Sequence, residues 1–189
     1  PWVAITTGIS PIAPLLKLSK ASGVSLTEYL SAIYIEVLHD ALMDLPRPIR
    51  NKRMRPIRLI IPVNARKIFD VHTMRNFILH VTPGIDPRLG SYSFEEILNQ
   101  VHHFMRIELN EKFIKQQISR NMRGETMPVI RFTPLFLKIP VERMLFQKYG
   151  NAIASGVLSN LGPVQVPKEL AEHIERFEFF TVPNVDTRL

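Results

Sequence analysis

Six histidines are the first residues to examine for chemistry, and two of them, His102 and His103, are adjacent. They lie inside a stretch with helical periodicity, where neighbouring side chains diverge by about 100° and cannot share one ligand or substrate atom. They therefore read as an ordinary surface pair on a helix. Glu36 and His39 are one helical turn apart, but a single pair falls short of a metal site, and no His-Glu-x-x-His occurs. The chain has no cysteine, which excludes thiolate metal ligands, disulfides and a thiol nucleophile. No Gly-x-Ser-x-Gly elbow is present, and no Gly-x-Gly-x-x-Gly or Walker pattern. The expectation is no catalytic group and no metal site in this chain.

The densest charge cluster is Arg47, Arg50, Lys52, Arg53, Arg55 and Arg58. Guanidinium groups at such density can grip phosphates, and the net charge of +7 favours anionic partners in general. The simpler reading is a solvated loop between a helix and a strand. Nucleic acid is disfavoured, because the segment interleaves no aromatic side chains for base stacking.

These residues must be positioned by a mixed set of elements. Residues 11–22 predict a helix closed by Gly23. Ser25-Leu26-Thr27-Glu28 is a capping-box pattern, and Leu30, Ile33, Tyr34, Val37, Leu38, Ala41 and Leu42 recur at helical spacing toward Leu45, before Pro46. Residues 57–63 are rich in β-branched types and predict a strand, with further strands over 76–81, 152–159 and 177–182. The segment 82–87 carries turn signals. Ser93 and Glu96 repeat the capping box ahead of one long amphipathic helix to about Gly124, and a third helical stretch spans Thr133 to Gly150. With Ser25 and Ser93 as caps of the two longest helices, residues 1–189 predict one α/β domain: a mixed sheet with helices packed mainly on one face.

An apolar fraction of 46% and a charged fraction of 22% are ordinary for a globular domain. The fifteen prolines sit mostly between elements and punctuate them. No apolar run approaches the roughly 18 residues that span a bilayer, so no membrane partner is expected. The start, Pro1-Trp2-Val3-Ala4-Ile5, has no signal-peptide pattern and no initiator methionine, which predicts a piece of a longer, cytoplasmic protein.

Three segments carry a resemblance. They are Gly23 to Ala32, Arg55 to Arg66 followed by Met74-Arg75-Asn76-Phe77, and Ser159-Asn160-Leu161-Gly162 continuing to Pro167. In this order and spacing they resemble the C-terminal half of the chloramphenicol-acetyltransferase-like superfamily, on the side of its alcohol acetyltransferase and condensation-domain members. The resemblance spans roughly residues 10 to 180.

It implies one lobe of a two-lobed, thioester-dependent acyltransferase. In that superfamily a His-His-x-x-x-Asp-Gly motif on the N-terminal lobe deprotonates a hydroxyl, amine or thiol acceptor, and coenzyme A or a carrier arm brings the acyl group. Here Ile107 and Glu108 stand where the motif after His102-His103 requires Asp and Gly. The catalytic lobe is therefore expected to be absent and this chain inactive alone. The resemblance places Asn64, Arg66, Asn76, Ser159 and Asn160 near the substrate tunnel, as scaffold rather than as proton-transfer groups. Each also has a plain role open to it: a salt bridge for Arg66, turn-forming hydrogen bonds for the others. The implied partners are the N-terminal lobe and the acyl donor, with coenzyme A thioester as co-substrate and no covalent cofactor. Exposed strand edges also admit a homo-oligomer. The competing expectation is a non-catalytic interaction module that binds an acidic carrier protein or another partner.

Overall fold

Strand β1 (Ile57–Asn64) organises the molecule, and its alternation of residue types dictates how. Ile57, Leu59 and Ile61 are buried while Arg58, Pro62 and Asn64 are exposed, the period-two pattern of a sheet covered on one face. The computed structural model describes residues 5–69, 74, 77–127, 132–149 and 154–179.

The covered face meets two helices. Helix α1 (Ile12–Ala21) precedes α2 (Leu26–Met43), which begins at Ser25: the serine hydroxyl accepts from Glu28 N–H, and the Glu28 carboxylate accepts from Ser25 N–H at 2.6 Å. Helix α5 (Phe94–Glu108) opens with the same reciprocal pair at Ser93 and Glu96. Ala32, Ile35 and Leu38 of α2 and Ile97, Leu98, Val101 and Met105 of α5 join the β1 residues in one core. The fold is mixed α/β around a mixed sheet, as the sequence predicts, and the two helices of this core, α2 and α5, share one sheet face.

Among the described residues β1 pairs with three other strands. β2 (Ile78–Val81) and β3 (Gly84–Ile85) both run antiparallel to it in one register, from Asn64↔Ile78 to Ile57↔Ile85. Pro83 divides them because it has no N–H to donate, but its carbonyl still accepts from Leu59 N–H at 2.9 Å. The predicted turn over 82–87 is thus half strand, and only 87–89 form a 3-10 turn. β4 (Gly156–Val157) pairs parallel with Leu59 and Ile60. Pro62 cannot donate the next bond of that ladder, and the pairing stops.

Gly156 is required there. A Cβ at this position would lie 2.7 Å from the Tyr34 hydroxyl and 3.2 Å from a Leu59 methyl. Gly156→Ala is expected to destabilise the fold by about 1–2 kcal/mol through this overpacking, measured by urea denaturation.

Several expectations are corrected. The long helix from Ser93 breaks at Leu109-Asn110, where Asn110 accepts from Lys112 N–H at 2.9 Å and caps a separate helix α6 (Glu111–Thr126). A strong N-cap thus interrupts an apolar period that continues in phase. Ser25 caps the longest described helix, of 18 residues, but Ser93 caps one of 15, shorter than α6 with 16. The basic segment is not simply a loop: Arg47–Arg53 form helix α3, with a proline in its first turn and Arg50 donating to the Met43 carbonyl at the end of α2. The strand predicted over 152–159 shortens to β4, with Ser155 and Leu158 bonded to β1 beside it, and 151–153 lie outside the described residues. Residues 177–179 form no strand, and 180–182 lie outside the described residues. Helix α7 (Leu135–Tyr149) and the short α8 (Lys168–Ala171) complete the order, with α4 (Arg66–Phe69) following β1. No described helix is long and apolar enough to cross a membrane.

Candidate functional site

β4 runs parallel to β1, so the residues that follow each strand emerge at the same end of the sheet. Asn64 and Arg66 leave β1 there, and Ser159 and Asn160 leave β4 there. Ligands of α/β sheets bind beyond the carboxyl ends of strands, which makes this end the candidate site.

The two described asparagines have identifiable local tasks. Asn64 accepts from Arg66 N–H at 3.1 Å and so starts the turn of α4, of which half-buried Arg66 is the first residue. Asn160 accepts from Gly162 N–H at 2.9 Å, and Gly162 has a φ of 71°, where a Cβ would be strained. The other side of the Asn160 amide donates to the Thr27 hydroxyl at 3.1 Å, tying the Ser159–Gly162 turn to the first turn of α2. Ser159 is half-buried beside it. Asn76 lies outside the described residues.

The structure adds Thr27, Glu28 and His102 to this end. Glu28 is nearly buried, with one carboxylate oxygen on Ser25 N–H and the other 3.2 Å from His102 Nδ1. That approach has ion-pair distance but not hydrogen-bond direction, so the buried Nδ1 has no hydrogen-bond acceptor. The surface reading of the histidine pair is therefore half wrong. His103 is exposed and its Nδ1 bonds the Asn99 carbonyl at 2.7 Å, whereas His102 turns toward α2. The spacing could have shown it: His102 is four residues after Leu98, on the buried stripe, and His103 is off it.

Neither of the two histidines hydrogen-bonds a serine or threonine hydroxyl, and His103 is tied to its own helix. Among the described residues no group of three His, Asp or Glu side chains could hold a metal ion. The carboxylates with shifted pKa values lie elsewhere. A hydrogen bond from Arg88 holds Asp86 below the ordinary carboxylate range, one from Lys115 does so for Glu111, and burial raises Glu108 against the opposing charge of Arg120.

The basic cluster does not join the site. Arg47 to Arg55 precede β1 and so sit at its opposite end, and eight residues of strand separate the two ends by roughly 23 Å. What the fold and site define is an α/β domain whose strand-end asparagines each hold a turn, Asn64 at the start of α4 and Asn160 against the start of α2. No protein-family model matches the chain, and no curated protein or solved structure matches it.

Proposed function

We propose that this chain is the C-terminal lobe of a two-lobed, thioester-dependent acyltransferase, and that a companion N-terminal lobe carries the proton-transfer histidine. The observation that supports this is the bond from Asn160 to Thr27. It joins the third resembling segment to the first, while the second, as β1, lies beside the strand that leads into the third. The segments that carry the resemblance thus meet at one strand end, although they are far apart in sequence.

In this reading the companion lobe's base takes the proton from an acceptor hydroxyl or amine. The acceptor attacks the thioester carbonyl, a C–O or C–N bond forms, the C–S bond breaks, and the thiolate leaves as coenzyme A or carrier thiol and is protonated. This chain contributes a wall. Asn64 and Asn160 fix its turns, and Arg66 and Ser159 edge it. The arginines of α3 can bind donor phosphates only if the donor extends along the sheet to its other end. The cytoplasm, where thioester donors are made, is the proposed location.

A thiol-release assay with acetyl-CoA and an alcohol tests the proposal. The chain alone is expected to show no turnover, and joined to its companion lobe it is expected to be active. In the joined protein Asn160→Ala should lower turnover about tenfold by misplacing the wall, less than the roughly 10²–10⁴-fold lost with the companion base. Turnover by the chain alone that His102→Ala or His103→Ala abolishes would overturn it. The large apolar surface of α7 favours the second reading, an interaction module, which predicts no turnover even when the chain is joined.

A further inference from the structure

The chain's excess of positive charge is concentrated in one place. Residues 45–69 contain no Asp or Glu, and Arg47, Arg50, Lys52, Arg53, Arg55 and Arg58 fall among them. Without these six the chain, at +7, would be close to neutral. The fold keeps them at the amino end of β1: α3 ends at Arg53, Arg55 links it to the strand, and Arg58 is the second strand residue. All but half-buried Arg50 are exposed.

Nearby carboxylates do not neutralise them. Ile85 of β3 lies opposite Ile57, so the turn that follows brings Asp86 and Arg88 to the same end. Arg88 takes the Asp86 carboxylate at 2.8 Å, and that hydrogen bond, with the charge of Arg58 adding to it, holds Asp86 below the ordinary carboxylate range. The acids next in sequence, Asp40 and Asp44, belong to the end of α2, and Asp40 faces His39. Arg50 donates to the Met43 carbonyl, while Arg47, Lys52, Arg55 and Arg58 form no ion pair among the described residues. Like charges crowded in this way repel one another in the free chain, and an anionic partner relieves the repulsion.

The spacing says what kind of anion fits. α3 covers about 10 Å and the segment from Arg55 to Arg58 roughly 10 Å more, too wide for a single phosphate group. Apolar side chains also stand among the cations. Ile49 is 45% exposed with Lys52 and Arg53 one turn on, and Leu89, beside Arg88, is 80% exposed. A nucleic-acid backbone offers these nothing, and the segment has no aromatic side chain to stack on bases. Arginine with exposed apolar side chains and little lysine is the composition of a protein interface.

We propose that this end of the sheet docks an acidic protein surface, with carboxylates on the arginines and an apolar side chain against Ile49. The inference does not rest on the acyltransferase reading, whose site lies at the other end of β1.

Fluorescence anisotropy with a labelled helical peptide that carries glutamates and leucines on one face tests the proposal. The peptide should bind the full chain at low salt and lose about tenfold in affinity at high salt, as contacts between exposed charges do. Arg55→Gln/Arg58→Gln should weaken binding about tenfold at low salt. Lys17→Gln/Lys20→Gln removes as much charge from α1, which leads into the start of α2 at the other end of the sheet, and should leave affinity within about twofold. Ile49→Ser should weaken binding about threefold at every salt concentration. All five positions are exposed, so each variant should keep the parent circular dichroism spectrum. Absence of binding at low salt, or equal losses in the two double variants, would overturn the proposal. So would equal binding of a twin peptide with glutamine in place of glutamate. Tighter binding of a short DNA duplex than of the acidic peptide would assign the surface to nucleic acid instead.

Discussion

Leu59→Ala is expected to cost about 2–5 kcal/mol of folding stability, the range for a leucine removed from a packed core. Leu59, the third residue of β1, is fully buried, with its N–H on the Pro83 carbonyl and Gly156 beside it on the parallel strand. Both neighbouring strands are anchored at this residue, so the cavity cannot be filled by moving one strand alone, and the upper half of the range applies. For a domain of this size, at about 2–4 °C per kcal/mol, the loss lowers the melting temperature by roughly 7–20 °C. Ile9→Ala is the control, since Ile9 is 83% exposed and its loss should stay within about 0.5 kcal/mol. Urea denaturation of both variants, with unchanged slopes, decides the matter. A loss below about 1 kcal/mol at Leu59 would mean that β1 is not the centre of the core.

The same strand shows what could be read from the sequence. The β-branched run from Ile57 to Val63 identifies a strand, and Ser-x-x-Glu identifies the starts of α2 and α5, because both signals are local. The break between α5 and α6 was hidden, since Phe113 and Ile114 continue the apolar period and only the capping of Asn110 interrupts it. Residues 83–85 look like a turn because proline and glycine usually make one. Here the fixed register with β1 holds them extended.

At the candidate site the strand-end asparagines were visible as polar residues after β-branched runs. Their convergence was not, because the Asn160–Thr27 bond spans 133 residues and exists only once β4 has docked beside β1. His102 and His103 look like one feature in the sequence, but the helix turns His102 toward Glu28 and leaves His103 exposed.

Glu28→Ala is expected to destabilise the chain by about 2–3 kcal/mol, more than the roughly 1 kcal/mol typical of losing a serine cap such as Ser25. The carboxylate has two tasks, and alanine removes both. One oxygen holds Ser25 N–H at 2.6 Å, a charge-assisted bond that closes the first turn of α2. The other faces His102 Nδ1 in the seam between α2 and α5, where that nitrogen is already buried without a hydrogen-bond acceptor. Without the carboxylate, His102 faces an apolar gap, and an unpaired polar group in such a place is costly. Glu28→Gln separates the tasks: an amide oxygen can still accept from Ser25 N–H, but the charge opposite the imidazole is gone. The glutamine variant should therefore recover about half of the alanine loss. The damage should also reach the candidate site. Thr27 precedes Glu28 in the same turn, so loosening that turn weakens the anchor of Asn160. Hydrogen exchange at the Gly162 amide reports this directly, because that N–H is held by Asn160 Oδ1. It should exchange faster in Glu28→Ala and remain close to the parent rate in Glu28→Gln. Equal exchange in all three proteins would show that the Ser159–Gly162 turn stands without α2, and that its link to Thr27 is incidental.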